Sequence, residues 1–126
     1  LTSKSLTILA IDDDPSVLAL YRSCLCAAGH TVETAADGAE GLARFKEGGW
    51  DLVLTDRTMP KLNGDELAAA VKAIDPRMPI VMVSGSIEEL PEAIGKRRAV
   101  DVFVHKPFTL DALTSAIAKA RESAAR

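Results

Sequence analysis

The sequence predicts an α/β domain built on a parallel sheet, and two observations carry that reading. Short apolar runs alternate with segments whose apolar residues recur at helical spacing, the pattern of successive βα units. Four of the runs also end in chemically capable residues. They are 6–11 before Asp12, Asp13 and Asp14; 52–55 before Asp56; 80–83 before Ser84; and 102–105 before Lys106. In a parallel sheet all strands finish at one edge, and ligands of open α/β sheets bind outside it. Residues distant in sequence then converge on one site, whose acids, hydroxyl and ammonium suit a divalent cation and a phosphoryl group.

Each element has a local cause. After the first strand, Asp14 and Pro15 read as an N-cap with proline at the first helical position. Val17, Tyr21, Cys24, Leu25 and Ala28 then recur at helical spacing, and Gly29 is placed to end the helix. A short strand over 31–35 precedes a weaker helix over 39–46, built on Leu42 and Phe45 and closed by Gly48 and Gly49. Trp50 is placed to pack at the entry to the third strand. Asn63 with Glu66 has the spacing of a capping box. The helix it starts puts Leu67, Ala70, Val71 and Ile74 on one face, and Pro76 stops it.

Beyond the fourth strand, residues 86–89 resemble a helix start, yet Pro91 falls in the second turn. There it removes a hydrogen bond and clashes with the preceding turn, at roughly 3 kcal/mol. The expectation is a helix that begins near Pro91 or is kinked, weakened by about 1 kcal/mol more at Gly95. Thr109 caps the last helix, whose stripe is Leu110, Leu113, Ile117 and Ala120, while residues 122–126 are expected to fray. With no repeat, low-complexity segment or linker, residues 1–126 read as one domain of five βα units.

Composition narrows the function classes. A chain of 126 residues is long enough to bury a core, and 48% hydrophobic with 26% charged residues is ordinary for a globular domain. The net charge of −3 gives no general attraction to nucleic acid or to an anionic membrane. The basic cluster Lys96, Arg97 and Arg98 reads as a solvated helix face or helix end. Cys24 and Cys26, two apart on a helix, diverge, which argues against a disulfide or a metal site and for plain packing in a reducing cytoplasm. No apolar run approaches the roughly 20 residues that span a bilayer, and no secretory signal pattern is present. The chain begins at Leu1, so a processed protein or an excised piece of a longer one is expected.

Among the polar strand ends, Asp14 is the natural helix cap, which leaves Asp12 and Asp13 for another task. Adjacent carboxylates there suit Mg²⁺, a hard cation that takes one or two carboxylates and keeps several waters. A solvated turn is the bland alternative. Asp56 follows a nearly unbroken apolar strand; it reads either as a turn former or as a nucleophile that forms an acyl phosphate. In the second role it needs cation help against its neighbours' repulsion, which links it to Asp12 and Asp13. Lys106 before Pro107 is either an exposed turn lysine or a partner for Asp56 and phosphate oxygens. Ser84 supplies a hydroxyl able to donate to the same group. His30 and His105 show no ligand spacing and are assigned no chemistry.

Taken together, residues 8–15, 51–60 with Asn63 and Gly64, and 103–108 resemble the receiver domain of two-component response regulators, the similarity running over essentially the whole chain. The resemblance implies a doubly wound five-stranded parallel sheet of flavodoxin-like order 2-1-3-4-5. It implies Asp56 as phosphoacceptor, with Lys106 and Ser84 as its catalytic companions. Asp13, Asp56 and the backbone carbonyl of Thr58 match the Mg²⁺ ligands, and Asp12 matches the acid that acts through a bound water. The bond from Lys106 to Pro107 is expected to be cis. Ser84 and Phe103 match the switch hydroxyl and the switch aromatic, which remodel a face made by the fourth and fifth helices and the fifth strand. The implied partners are a sensor histidine kinase or a histidine phosphotransfer domain, kinase or output domains linked outside this segment, and a second copy in a homodimer. Direct nucleic acid binding and membrane insertion are not expected, and the location implied is cytoplasmic.

Ser84 followed by Gly85 is similar to the variant of receivers fused to hybrid histidine kinases, and glycine there predicts a looser switch. Residues 99–101 also depart from the common Gly-Ala-Asp. Two other readings stay open. Asp12 and Asp14, Ser84 and Lys106 mimic the motifs of haloacid-dehalogenase-type phosphatases, with Asp12 then the nucleophile. The residues after the motif, the missing acidic pair after Lys106 and the missing cap domain depart from that pattern. An interaction module that keeps the fold without phosphorylation is the other.

Overall fold

β1 (Thr7–Ile11), β2 (Thr31–Ala35), β3 (Leu52–Asp56), β4 (Ile80–Ser84) and β5 (Val102–His105) pair in parallel as one sheet, in the order β2-β1-β3-β4-β5. The coordinates are a computed structural model that describes residues 5–85 and 99–125. Helices α1 (Pro15–Ala27), α2 (Gly38–Lys46), α3 (Gly64–Ile74) and α4 (Leu110–Ala125) cover the two faces. This is the expected strand order. The helix expected over 86–98, with Pro91, Gly95 and the basic cluster, lies outside the described residues.

Strand composition follows from that coverage. β3 and β4 are buried at every position and β1 at all but Thr7, because helices lie on both sides and leave no face for polar residues. Successive side chains point to opposite faces, so the core divides in two. Ile8, Leu52 and Leu54 pack with Tyr21 and Leu25 of α1 and with Leu113 and Ile117 of α4. Leu9, Val53 and Met82 pack with Phe45 of α2 and with Leu67 and Val71 of α3.

The capping signals translate into geometry. Asp14 accepts from the Ser16 amide at 2.9 Å, with Pro15 opening α1. Asn63 and Glu66 make both halves of the capping box, at 2.9 and 3.0 Å. Gly29, at φ 97°, adopts the left-handed conformation that ends α1, and its amide donates to the Cys26 carbonyl. Thr109 caps α4 through the Ala112 amide at 3.0 Å. Trp50 is half-buried at the entry to β3, its indole N–H donating to the Arg44 carbonyl at 3.0 Å.

Four local expectations are corrected. Ile74 is 51% and Leu110 46% exposed, whereas Ala68 and Ala116 are buried. Both misplaced residues stand at a helix terminus, where periodicity still counts them but the neighbouring layer no longer covers them. The tail does not fray at 122, since α4 continues to Ala125. Cys26 is exposed rather than packed, while Cys24 is half-buried, and both are free.

The opposite, amino-terminal edge of the sheet uses carboxylates structurally. Asp51 accepts from the first amide of β1, at Thr7 (2.8 Å), and Asp101 accepts from the first amide of β4, at Ile80 (2.8 Å), while also pairing with Lys72 of α3 at 2.9 Å. His30 ties the start of β1 to the loop before β2. Its Nδ1 accepts from the Leu6 amide at 3.0 Å, so the neutral ring carries its proton on Nε2. Burial, and then the charge of Arg121, lower its pKa from the ordinary 6.5. The unfolded chain therefore takes up this proton first, and the stability His30 contributes is full above about pH 6.5 and lost as pH falls through its lower folded value. Thermal midpoints should fall across that window, and His30→Gln should flatten this part of the profile; an undiminished slope in the variant would assign the loss to other groups.

Candidate functional site

The loops after β1 and β3 lie where the strand order reverses, the crevice in which doubly wound sheets bind ligands. Asp12 follows the last residue of β1 and is fully buried. Its amide donates to the Ala35 carbonyl at 3.2 Å, and its Oδ1 accepts from the Asp14 amide at 2.9 Å. Asp14 is engaged as the cap of α1, as expected. Asp13, between them, is exposed. Asp56 ends β3 at 7% exposure. Asp12, Asp13 and Asp56 each offer a carboxylate oxygen, and these lie within 4.8 Å of one another.

Lys106 faces this triplet across the sheet edge. Its Nζ lies 3.1 Å from Asp56 Oδ1 and 3.3 Å from Asp12 Oδ2. Its amide donates to the Ser84 carbonyl at 2.8 Å, extending the β4–β5 ladder by one residue, and its bond to Pro107 is cis. Burial works against the ammonium, but the hydrogen bond and charge of Asp56, followed by those of Asp12, outweigh it and raise its pKa. Burial likewise raises the Asp12 carboxyl, and the Asp56 charge adds to this. The Asp14 amide and Lys106 oppose that rise without cancelling it. One ammonium shared by two buried acids, with a third beside them, leaves excess negative charge on hard oxygen donors. That donor set suits a hard divalent cation.

The loop beyond Asp56 is firmly held. Arg57 pairs with Asp65 at 3.1 Å, both largely shielded, and the Gly64 amide donates to the Arg57 carbonyl at 2.7 Å. A Cβ on Gly64 would collide with the Asp56 carbonyl oxygen and come within 2.8 Å of Arg57 Cα. Thr58 is exposed, two residues past Asp56. No spacing rule pointed to the Arg57–Asp65 tether, because eight residues separate partners that meet only once α3 packs on the sheet.

Ser84 is buried at the end of β4, paired in register with His105. Phe103 is half-buried on the α2–α3 side of the sheet and pairs with Met82. With Val104, His105, Phe108, Ala112 and Lys119 it lines an open groove between β5 and α4. Gly85 does not have a left-handed φ, and nothing lies within 4 Å of where its Cβ would be. This conformation does not itself demand glycine.

Residues 8–118 match the response regulator receiver domain family. The chain is a receiver domain. Receiver domains of two-component response regulators are phosphoacceptors and interact with histidine kinases. Among relatives, the transcriptional regulatory protein GlrR of Escherichia coli is 36% identical over 99% of this chain, which spans only 28% of GlrR. The chemotaxis response regulator CheY4 of Vibrio cholerae superposes with a TM-score of 0.84 at 29% identity, over 93% of this receiver domain and 99% of CheY4. TrrA of Thermotoga maritima, solved in complex with Mg²⁺ and BeF, gives 0.83 at 29% identity, over 91% and 98% of the two chains. Among the described residues, no helix of this receiver domain is long and apolar enough to cross a membrane.

Proposed function

We propose that Asp56 is the acceptor of this receiver domain and takes a phosphoryl group from a phosphohistidine of a sensor kinase or histidine phosphotransfer domain. The observation that carries this reading is the acidic triplet of Asp12, Asp13 and Asp56, with the Lys106 ammonium on one oxygen of Asp56. A carboxylate oxygen of Asp56 forms the new P–O bond as the donor's P–N bond breaks, and the leaving imidazole takes up a proton. Lys106, positively charged throughout the physiological range, follows the charge onto the phosphoryl oxygens. The Ser84 hydroxyl is placed at the neighbouring strand end to donate to the same group. Asp12, Asp13, Asp56 and the Thr58 carbonyl would hold Mg²⁺. Its chemistry there is charge neutralisation between the acids and the incoming dianion. A metal-beryllofluoride complex of TrrA, a structure this similar, supports that choice of cation.

Residues 1–126 are taken as one such unit working in the cytoplasm, joined in a longer protein to kinase or output segments. Phosphorylation would draw Ser84 toward the phosphoryl group and turn Phe103 inward, altering the groove beside β5.

Incubation with acetyl phosphate and Mg²⁺, followed by peptide mapping of the modified residue, tests this. The label is expected on Asp56 and only when Mg²⁺ is present. A label on Asp12 would instead mark phosphatase chemistry. Against that reading, Asp12 is fully buried with one oxygen on the Asp14 amide and the other on Lys106. No label at all would favour an interaction module.

A further inference from the structure

Arg57 stands between Asp56 and Thr58 and is held by its main chain and its side chain alike. Its amide donates to the Val83 carbonyl at 3.1 Å, carrying the β3–β4 ladder past the strand end. Its carbonyl accepts from the Gly64 amide at 2.7 Å, and its Nε donates to Asp65 Oδ2 at 3.1 Å. Gly64 and Asp65 are the first two residues of α3. The helix, and not the sheet alone, therefore sets the backbone from which exposed Thr58 departs.

The ion pair is a poor device for stability alone. Its side chains are 12% and 20% exposed, so both charges have given up much of their hydration. Apolar residues of similar volume often hold such a position as well or better. What a guanidinium on a carboxylate supplies, and an apolar contact does not, is direction. The best-attested use of a shielded ion pair is accordingly to fix register. The register at stake here is that of Thr58 relative to Asp56, one contributing a carbonyl and the other a carboxylate to the proposed cation site. Mg²⁺ demands near-ideal octahedral geometry and tolerates little error in where its ligands stand.

We propose that Arg57 and Asp65 are positioning residues of the metal site: their ion pair ties the loop after β3 to the first turn of α3, so that the Thr58 carbonyl and the Asp56 carboxylate can meet one Mg²⁺. The inference rests on the Mg²⁺ ligands proposed above.

Charge and position predict opposite results, which makes the test sharp. MgCl₂ alone is titrated into the unphosphorylated domain and followed by amide chemical shifts, and the thermal midpoint is measured without Mg²⁺. By Coulomb attraction, removing a positive charge next to a cation site tightens binding. Arg57→Met, which keeps the apolar stem, should instead weaken Mg²⁺ about tenfold, the lower end of the effect of residues that orient metal ligands. Its midpoint should also fall, because Asp65 is left unpaired. Arg57→Met combined with Asp65→Leu removes both charges. The double variant should bind Mg²⁺ as weakly as the single one while melting near the wild type. Unchanged or tighter Mg²⁺ binding in either variant would overturn the proposal. So would a double variant that melts far below the wild type, the mark of a merely structural pair. A wild-type domain that takes up no Mg²⁺ would instead overturn the proposed ligand set, and this inference with it.

Discussion

Asp56→Asn is expected to abolish labelling by acetyl phosphate while leaving the domain folded. The amide occupies nearly the same volume at the end of β3, where Asp56 is 7% exposed, so the core either side of it is undisturbed. It lacks the anionic oxygen that would attack phosphorus, and the covalent route disappears with it; the rate should fall by at least about a hundredfold. Stability should move little, because two opposed changes accompany the substitution. Lys106 loses its 3.1 Å partner, but the buried Asp12 loses a like charge from its surroundings. Labelling with radioactive acetyl phosphate, beside a thermal melt of the same preparation, separates loss of chemistry from loss of fold. Persistent labelling of a folded Asp56→Asn domain would place the acceptor elsewhere.

Gly64→Ala should damage fold and site together. Gly64 is the first residue of α3, and its φ lies outside the left-handed region, so conformational freedom is not the reason for glycine. Space is. The added methyl meets the Asp56 carbonyl oxygen and Arg57 Cα, which are main-chain atoms and do not swing away as the third neighbour, the end of Met82, does. Either α3 moves outward, loosening the contacts of Leu67 and Val71, or the loop after β3 moves and takes the Asp56 carboxylate with it. Overpacking of this kind costs about 1–3 kcal/mol, or about 4–10 °C in thermal midpoint for a domain of this size. Phosphoryl transfer should slow as well, since small misplacements of a reacting group are costly. A variant that melts with the wild type and labels at the same rate would show that α3 absorbs the methyl without disturbing the loop.

Most of the fold was legible because apolar runs and caps report local causes. The starts of α1, α3 and α4 follow from Asp14, Asn63 and Thr109, whose side chains act within three residues of themselves. The burial of β3 and β4 follows from unbroken apolar runs. What escaped was of two kinds. Ile74 and Leu110 obey helical spacing, but burial at a helix end depends on how far the facing layer extends. The pairs Arg57–Asp65 and Lys72–Asp101, and the acceptor roles of Asp51 and Asp101 for strand amides, join residues that only the packed fold brings together. Within the site, the convergence of Asp12, Asp13, Asp56 and Lys106 was readable because each follows a strand and the edge is common to all.

Asp51 and Asp101 give the sheet a mechanical asymmetry. At their edge, carboxylates anchor the first amides of β1 and β4, and Lys72 braces α3 against the stretch that leads into β5. At the other edge, carboxylates crowd together and lean on a single ammonium. One edge of the sheet is thus braced by paired charges, while the unbalanced charge is gathered at the other.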